Sequence, residues 1–317
     1  MEKRALGDTG LSVSRLCFGG LTIGPTQANL SLDEGAELVC HAILGGINFI
    51  DTAELYETYA PIALGIKKSG CFDTIVATKT YAYTAEMAEK SLELARKELD
   101  RDVIDIFLLH EQESIHTLNG HRPAYEYLLS QKAKGLIKAV GLSTHFVSGV
   151  LGALDYEEKI DVIHPLFNYA GWGISDGSIC DMEAALIKAQ AFGIGIYGMK
   201  ALGGGNLIES SEYALNYVIA KPYIASIAVG MQNKTEIDAN IEFFEKGCFS
   251  AENKKNLTGI NRHLHIEEWC IACGECVKRC KSGALSVKNG QLTVDSKKCV
   301  LCSYCSKVCE NLCLKVL

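Results

Sequence analysis

Eight apolar runs, separated by stretches long enough for a helix, fix most of what the first 246 residues can become. They are "RLCFGG", "INFID", "TIVATK", "VIDIFLLH", "IKAVGLS", "DVIHPLF", "GIGIYGM" and "IASIAVG". Each is nearly continuous in apolar side chains and rich in Val and Ile, as in strands buried on both faces of a parallel sheet. Helix signals fill the gaps. "TAEMAEKSLELARKEL" (84–99) puts Met87, Leu92, Leu94, Ala95 and Leu99 on an apolar side behind Thr84 as N-cap. "DMEAALIKAQAFG" (181–193) ends on a Gly suited to the C′ position. A hairpin turning at "GDTG" (7–10) precedes the first run. Eight strand–helix units match an α/β fold of the (β/α)8 TIM-barrel type at its usual size of ~250 residues. A doubly wound open sheet is the competing topology. The Gly-rich turn that usually follows its first strand is poorly matched by "CFGGLTIGPTQ".

Residues 247–265 show no strand pattern and read as a linker with some helix. Beyond them, "CIACGECVKRC" (270–280) and "CVLCSYCSKVC" (299–309) repeat the same cysteine intervals. Between the two lies a hairpin, "ALSVKNGQLTV", with its turn at Asn289-Gly290. The expected organisation is therefore a barrel over 1–246, a linker over 247–265, and a small C-terminal α+β module over 266–317.

Hydrophobic residues make up 48% of the chain and charged residues 22%, a globular rather than disordered balance. "MEKRALGDTGLSVSR" lacks the apolar segment of a secretory signal. No apolar run approaches the ~20 residues of a membrane span. A cytoplasmic location with no membrane partner is the expectation. In that setting the 14 cysteines are not a disulfide framework. Those outside the runs (Cys17, Cys40, Cys71, Cys180, Cys248, Cys313) read as ordinary buried thiols. A formal charge of −7 argues against nucleic acid as a partner. That charge is uneven: from Ile266 onward eight Lys or Arg face five Asp or Glu, so the module carries +3 and the rest −10. The surplus is either a basic patch or, preferably, an offset to the negative charge of thiolate-bound clusters.

Barrels place their chemistry at the C-terminal ends of the strands. The polar residues there are Asp51, ending the second run, Tyr56 just after it, Lys79 ending the third and His110 ending the fourth. Any one of them alone could cap a helix or fill the core. Together they suit protonation of a carbonyl oxygen while a hydride arrives at carbon. Tyr, with a reference pKa of ~10, is a poor donor near neutrality. A neighbouring ammonium lowers that value. A buried carboxylate keeps the ammonium charged and oriented. A neutral His can hold the carbonyl oxygen over the acid.

"FIDTAELY" (49–56), "ATK" (77–79) and "LLH" (108–110) resemble the aldo-keto reductases. The similarity runs through the barrel, including "RALGDTGLSVSRLCFGG", "VGLSTH" and "ALGGG". The resemblance implies a (β/α)8 barrel, NADP or NAD bound in extended form, and a small-molecule carbonyl or alcohol as substrate. It implies Tyr56 as general acid, supported by Asp51, Lys79 and His110. There are departures. Glu57 follows Tyr56 where the family usually has Gly. Thr144 stands beside the retained Ser143 where an Asn often contacts the nicotinamide amide. His164 replaces a Gln, although Asn168 persists, and Met199 stands where a Tyr often stacks on nicotinamide. "VGMQNKTEIDANI" resembles the segment that holds the adenosine phosphate, with Gly230, Asn233 and Asn240 as contacts. It has Lys234 and no Arg, which leaves NAD versus NADP open. "GGG" (203–205) reads as a flexible turn or as backbone approaching a pyrophosphate.

The cysteine runs resemble a bacterial two-cluster ferredoxin. That resemblance implies two 4Fe–4S clusters, one held by Cys270, Cys273, Cys276 and Cys309, the other by Cys299, Cys302, Cys305 and Cys280. Zinc is the alternative, although zinc sites usually pair two Cys-x-x-Cys knuckles. The Pro that normally follows the fourth Cys is Lys281 in one run and Glu310 in the other. A hydride reductase moves two electrons at once, whereas each cluster moves one. A flavin normally converts between these regimes, and no flavin motif is evident. The clusters thus read as a relay to an external electron carrier, as a structural staple, or as a redox sensor. The relay is preferred because two clusters exceed what stapling needs. The expected function is a carbonyl or alcohol oxidoreductase with an attached ferredoxin module. The alternative is an electron-transfer or redox-sensing protein whose barrel binds nucleotide with little turnover.

Overall fold

The computed structural model describes residues 1–257, 262–311 and 313–316. The antiparallel hairpin β1 (Lys3–Ala5) and β2 (Ser12–Ser14) comes first. Eight parallel strands follow: β3 (Leu16–Gly19), β4 (Phe49–Asp51), β5 (Ile75–Thr80), β6 (Ile104–Leu109), β7 (Ile137–Thr144), β8 (Val162–Pro165), β9 (Gly195–Met199) and β10 (Ser226–Gly230). β10 pairs with both β9 and β3, so the barrel closes. Every apolar run of the sequence supplies one of its strands. Because the strands are parallel, their C-terminal ends share one rim, and Asp51, Lys79 and His110 stand on it at the ends of β4, β5 and β6.

The core has two layers. Phe49, Ala77, Ile106, Leu108 and Tyr197 fill the barrel lumen, and Leu6 and Val13 of the hairpin join them. The larger layer lies between strands and helices. The helix Ala85–Glu98 shows how its members are chosen. Thr84 caps it by accepting a hydrogen bond from the Met87 amide at 3.2 Å. Ala88, Leu92, Ala95 and Leu99 are buried, but Met87 and Leu94, expected on the apolar side, are each 37% exposed. At 100° per residue, 88, 92, 95 and 99 line one stripe; 87 and 94 fall beside it. Burying Leu92 fully contributes about 1.5–3 kcal/mol. The helix Ile179–Ala191 begins two residues earlier than its pattern suggested, behind Ser178, and Gly193 follows its cap with φ +76°. Of the six cysteines outside the runs, Cys17 and Cys313 are buried, whereas Cys180 and Cys248 are exposed. Cys40 and Cys71 are half-buried, so the expectation of buried thiols holds fully only for Cys17 and Cys313.

After a short helix (Ala251–Leu257), residues 258–261 of the expected linker lie outside the described residues. β11 (Leu264–Ile266) opens inside the stretch expected as linker and pairs antiparallel with β14 (Leu314–Val316). Between them β12 (Leu285–Lys288) and β13 (Gln291–Val294) form a hairpin, with left-handed Asn289 (φ +51°) and Gly290 (φ +76°) at its turn. Leu264, Leu285, Leu292, Leu301 and Leu314 form a small core together with the cysteines. Among the described residues no helix is long and apolar enough to cross a membrane.

Candidate active site

Lys79 and Asp51 form a buried ion pair at 2.8 Å. The Lys79 ammonium also donates to the Thr52 carbonyl at 2.7 Å. Tyr197, which the sequence did not single out, donates its hydroxyl to the other Asp51 oxygen at 2.8 Å. His164 stacks on Tyr197 with ring centres 3.9 Å apart, and its Nε2 lies 3.7 Å from Asp51. Lys79 Nζ sits 4.8 Å from the centre of the Tyr56 ring, and the His110 ring meets Tyr56 edge-on at 5.7 Å. The four rim residues thus converge on one spot.

Their electrostatics differ from expectation in one respect. Burial pushes the Tyr56 phenol well above its ordinary pKa, and the Asp51 charge adds to the rise. The Lys79 charge, expected to lower it, does not overcome these two effects. Burial pulls Lys79 itself down against the attraction of Asp51. Tyr56 therefore keeps its proton, as a donor must. His110 is pushed well below the ordinary histidine range by burial and by Lys79, so its ring is neutral.

Tyr56 shares its cavity with Gly19, Thr22, Met199, Gly204, Gly230 and Arg262. Gly230 is essential to its shape, since a Cβ there would lie 2.2 Å from Thr22. Arg262 comes from outside the barrel strands and was missed in the sequence. Its guanidinium holds Glu236 at 2.8 and 2.9 Å, while its buried Nε finds no partner among the described residues. A glycine-walled cavity lined by two cationic side chains, Lys200 and Arg262, fits an anionic nucleotide. Of the six nucleotide contacts implied by resemblance, Gly230 lines this cavity. The other five side chains serve the protein's own backbone. Ser143 accepts from the Glu111 amide, Thr144 from the Phe146 amide, and Asn233 caps the helix Lys234–Lys246. Asn168 donates to the Trp172 and Lys200 carbonyls, and Asn240 to the Glu236 carbonyl.

The cysteine runs share a backbone pattern. Ala272 and Gly274 in the first, and Leu301 and Ser303 in the second, all have positive φ. Such left-handed residues curl successive amides around a concavity suited to an anionic centre. Cys280, Cys299, Cys302 and Cys305 line one cavity, together with Glu111 and His145 of the barrel. The Cys276 thiol is raised by burial and then by Cys270, Cys273 and Cys309 around it. The chemistry of two all-thiol sets fits 4Fe–4S clusters.

The module docks on the barrel's C-terminal rim. The Tyr304 hydroxyl lies 3.0 Å from His110 Nε2, and its ring packs with Ala53 and Tyr56. Arg279 lies over the rings of Tyr304 and Tyr81 at 5.3 and 5.7 Å. Gln27 donates to the Leu301 carbonyl at 3.1 Å. Three oddities of sequence are explained here. Glu57 takes the left-handed conformation (φ +56°) that favours Gly, and its carboxylate pairs with Lys307. Lys281, standing where a Pro was expected, pairs with Glu113. Gly204, in the "GGG" turn, lets the Val300 carbonyl come so close that a Cβ would meet it at 1.9 Å. The close backbone approach is to the module. Part of the module's positive surplus thus faces barrel carboxylates, besides any service to the clusters.

The sequence profile described as "Aldo/keto reductase family" matches residues 15–213, and that of a "4Fe-4S binding domain" matches residues 264–286. The L-galactose dehydrogenase of Arabidopsis thaliana is 26% identical over 288 residues, spanning 76% of this chain and 87% of that protein. The uncharacterized oxidoreductase YqkF of Bacillus subtilis is 24% identical over 292 residues, spanning 76% of this chain and 90% of its own length. In fold, an aldo-keto reductase of Bacillus halodurans superposes with a TM-score of 0.63 at 20% identity, covering 81% of this chain and 95% of that one. The closed eight-strand barrel and the profile match over more than half its length make this chain a member of the aldo/keto reductase family, an oxidoreductase with a C-terminal 4Fe–4S binding domain.

Proposed function

We propose that the chain interconverts a small-molecule carbonyl and its alcohol at Tyr56, using NAD(P)H, and that two clusters relay electrons between an external one-electron carrier and this site. One observation carries the relay: Tyr304, lying between Cys302 and Cys305 in the sequence, touches His110, so a cluster-ligand loop abuts the tetrad. Gly230 and Arg262 would hold the nucleotide, which when bound supplies or accepts the hydride. The two thiol sets would hold the clusters, which supply one-electron steps. Tyr56 keeps a proton on its hydroxyl for the substrate oxygen. His110, neutral, orients that oxygen by a hydrogen bond. Lys79, fixed by Asp51 and Thr52, keeps positive charge beside the Tyr56 ring as the proton leaves.

The test uses protein prepared anaerobically with both clusters loaded and reduced. Adding NADP⁺ or NAD⁺, alone or with the carbonyl compound as final acceptor of two electrons and two protons, should reoxidise the clusters, as read by their visible absorbance. Clusters that stay reduced at potentials permitting transfer would leave a structural or sensory role. A second reading, a redox sensor with little turnover, is favoured by the same contact, because Tyr304 stands where a substrate must come.

A further inference from the structure

We infer that Tyr304 occupies the place of the substrate's carbonyl oxygen between Tyr56 and His110, so that the docked ferredoxin module closes the site and must move off for carbonyl turnover. The inference rests on the reading of Tyr56 as acid and His110 as the orienting group. A carbonyl oxygen in reaction needs hydrogen-bond distance to both. The Tyr304 hydroxyl already holds His110 Nε2 at 3.0 Å. Its ring packs directly against Tyr56, and Ala53, Leu21, Leu55 and Cys302 complete the seal. Tyr304 is 8% exposed. A carbonyl group cannot reach the same two atoms while that hydroxyl remains.

Two of the remaining contacts suit a seal that can break. Arg279 clamps the plug from above by lying over its ring. The outer ties, Lys281–Glu113 and Lys307–Glu57, are partly exposed ion pairs. Each of that kind contributes about 0–1 kcal/mol and weakens as salt rises. Gln27, donating to the Leu301 carbonyl, Asn206, donating to the Cys299 carbonyl, and the buried Arg262–Glu236 pair hold the seat besides these, so salt weakens only its outer ties.

The test compares wild type with Tyr304→Ala, Tyr304→Phe and Glu113→Lys, each loaded with clusters as judged by iron content and absorbance. The probe is butanal with NADPH or NADH. Tyr304→Ala should raise kcat/KM at least tenfold, and Tyr304→Phe, which keeps the ring but loses the hydroxyl, should raise it less. Glu113→Lys should raise it without touching the tetrad. Raising salt to 0.5 M should speed wild type and leave Tyr304→Ala unchanged. Hydrogen exchange gives a readout apart from turnover: amides of 300–307 in wild type should exchange faster when NADP⁺ and butanol are added. A Tyr304→Ala protein with intact clusters that is no faster than wild type overturns the inference, as does unchanged exchange during full turnover. If the activity gained by Tyr304→Ala survives adding Tyr56→Phe, the plug stands and Tyr56 is not the acid.

Discussion

Lys79 holds its ammonium 2.8 Å from the Asp51 carboxylate, and both side chains are shut off from solvent beneath Tyr56. Removing one partner strands the other. Asp51→Asn should therefore destabilise the barrel by about 3–5 kcal/mol, whereas adding Lys79→Met should recover part of that loss. Urea unfolding followed by far-UV circular dichroism measures both. A loss below about 1 kcal/mol in the single variant would mean that water reaches the pair.

Tyr56→Phe removes one hydroxyl and keeps the ring that packs on Ala53 and Tyr304. Turnover of any carbonyl compound the parent reduces should fall by about 10²–10⁴, the loss typical of a general acid. Nucleotide affinity, read by fluorescence titration, should stay within a few fold of the parent. Near-parental turnover would remove Tyr56 from the role.

The barrel was legible because its strands are short, continuously apolar and regularly spaced, and the tetrad was legible because each member ends or follows one such strand. Contacts between the two units left no comparable trace. Tyr304 reads as a spacer within "CSYC", yet it meets His110, 194 residues earlier in the chain. Glu57 and Lys281 registered only as departures from family patterns. Their partners, Lys307 and Glu113, lie 250 and 168 residues away, beyond any periodicity. Arg262 falls in a stretch that read as linker. Met87 and Leu94 failed for the opposite reason: the helix offers more apolar residues than its stripe can bury.

His164 is pushed down to about 4, first by burial and also by Lys79, with Asp51 opposing. In the unfolded chain it titrates near ~6.5. Between these values the unfolded chain binds a proton that the folded one refuses, so stability falls as pH falls through that window. From pH 7 to 5.5 this amounts to on the order of 1 kcal/mol. His164→Gln keeps a polar group near the Tyr197 carbonyl, which His164 contacts at 2.7 Å, and removes the titration. Wild type should lose more melting temperature than the variant over that range. His110 and His145, also pushed down, are common to both proteins. Equal losses would place the acid sensitivity elsewhere.

Cys280 closes the first cysteine run in sequence but lines a cavity with Cys299, Cys302 and Cys305 of the second. The helix Glu275–Arg279 contains Cys276 and ends on Cys280 as its C-cap. Cys309 does the converse, lying beside Cys276 with Cys270 and Cys273. We propose crossed ligation on this proximity. Cys280→Ala should leave three thiolates at 299, 302 and 305, and that cluster should lose one iron to become 3Fe–4S. Cys309→Ala should do the same at the other site. Electron paramagnetic resonance of the oxidised single variants detects the 3Fe–4S signal. A crystal structure of the Cys280 variant then shows which cluster is incomplete. Damage at Cys270, Cys273 and Cys276 in that variant would mean that each run closes on itself. The barrel adds a second criterion, because Glu111 and His145 line the same cavity as Cys280. Losing an iron there should disturb the module's seat on the rim and speed hydrogen exchange around Tyr304, whereas the Cys309 variant should leave that seat intact.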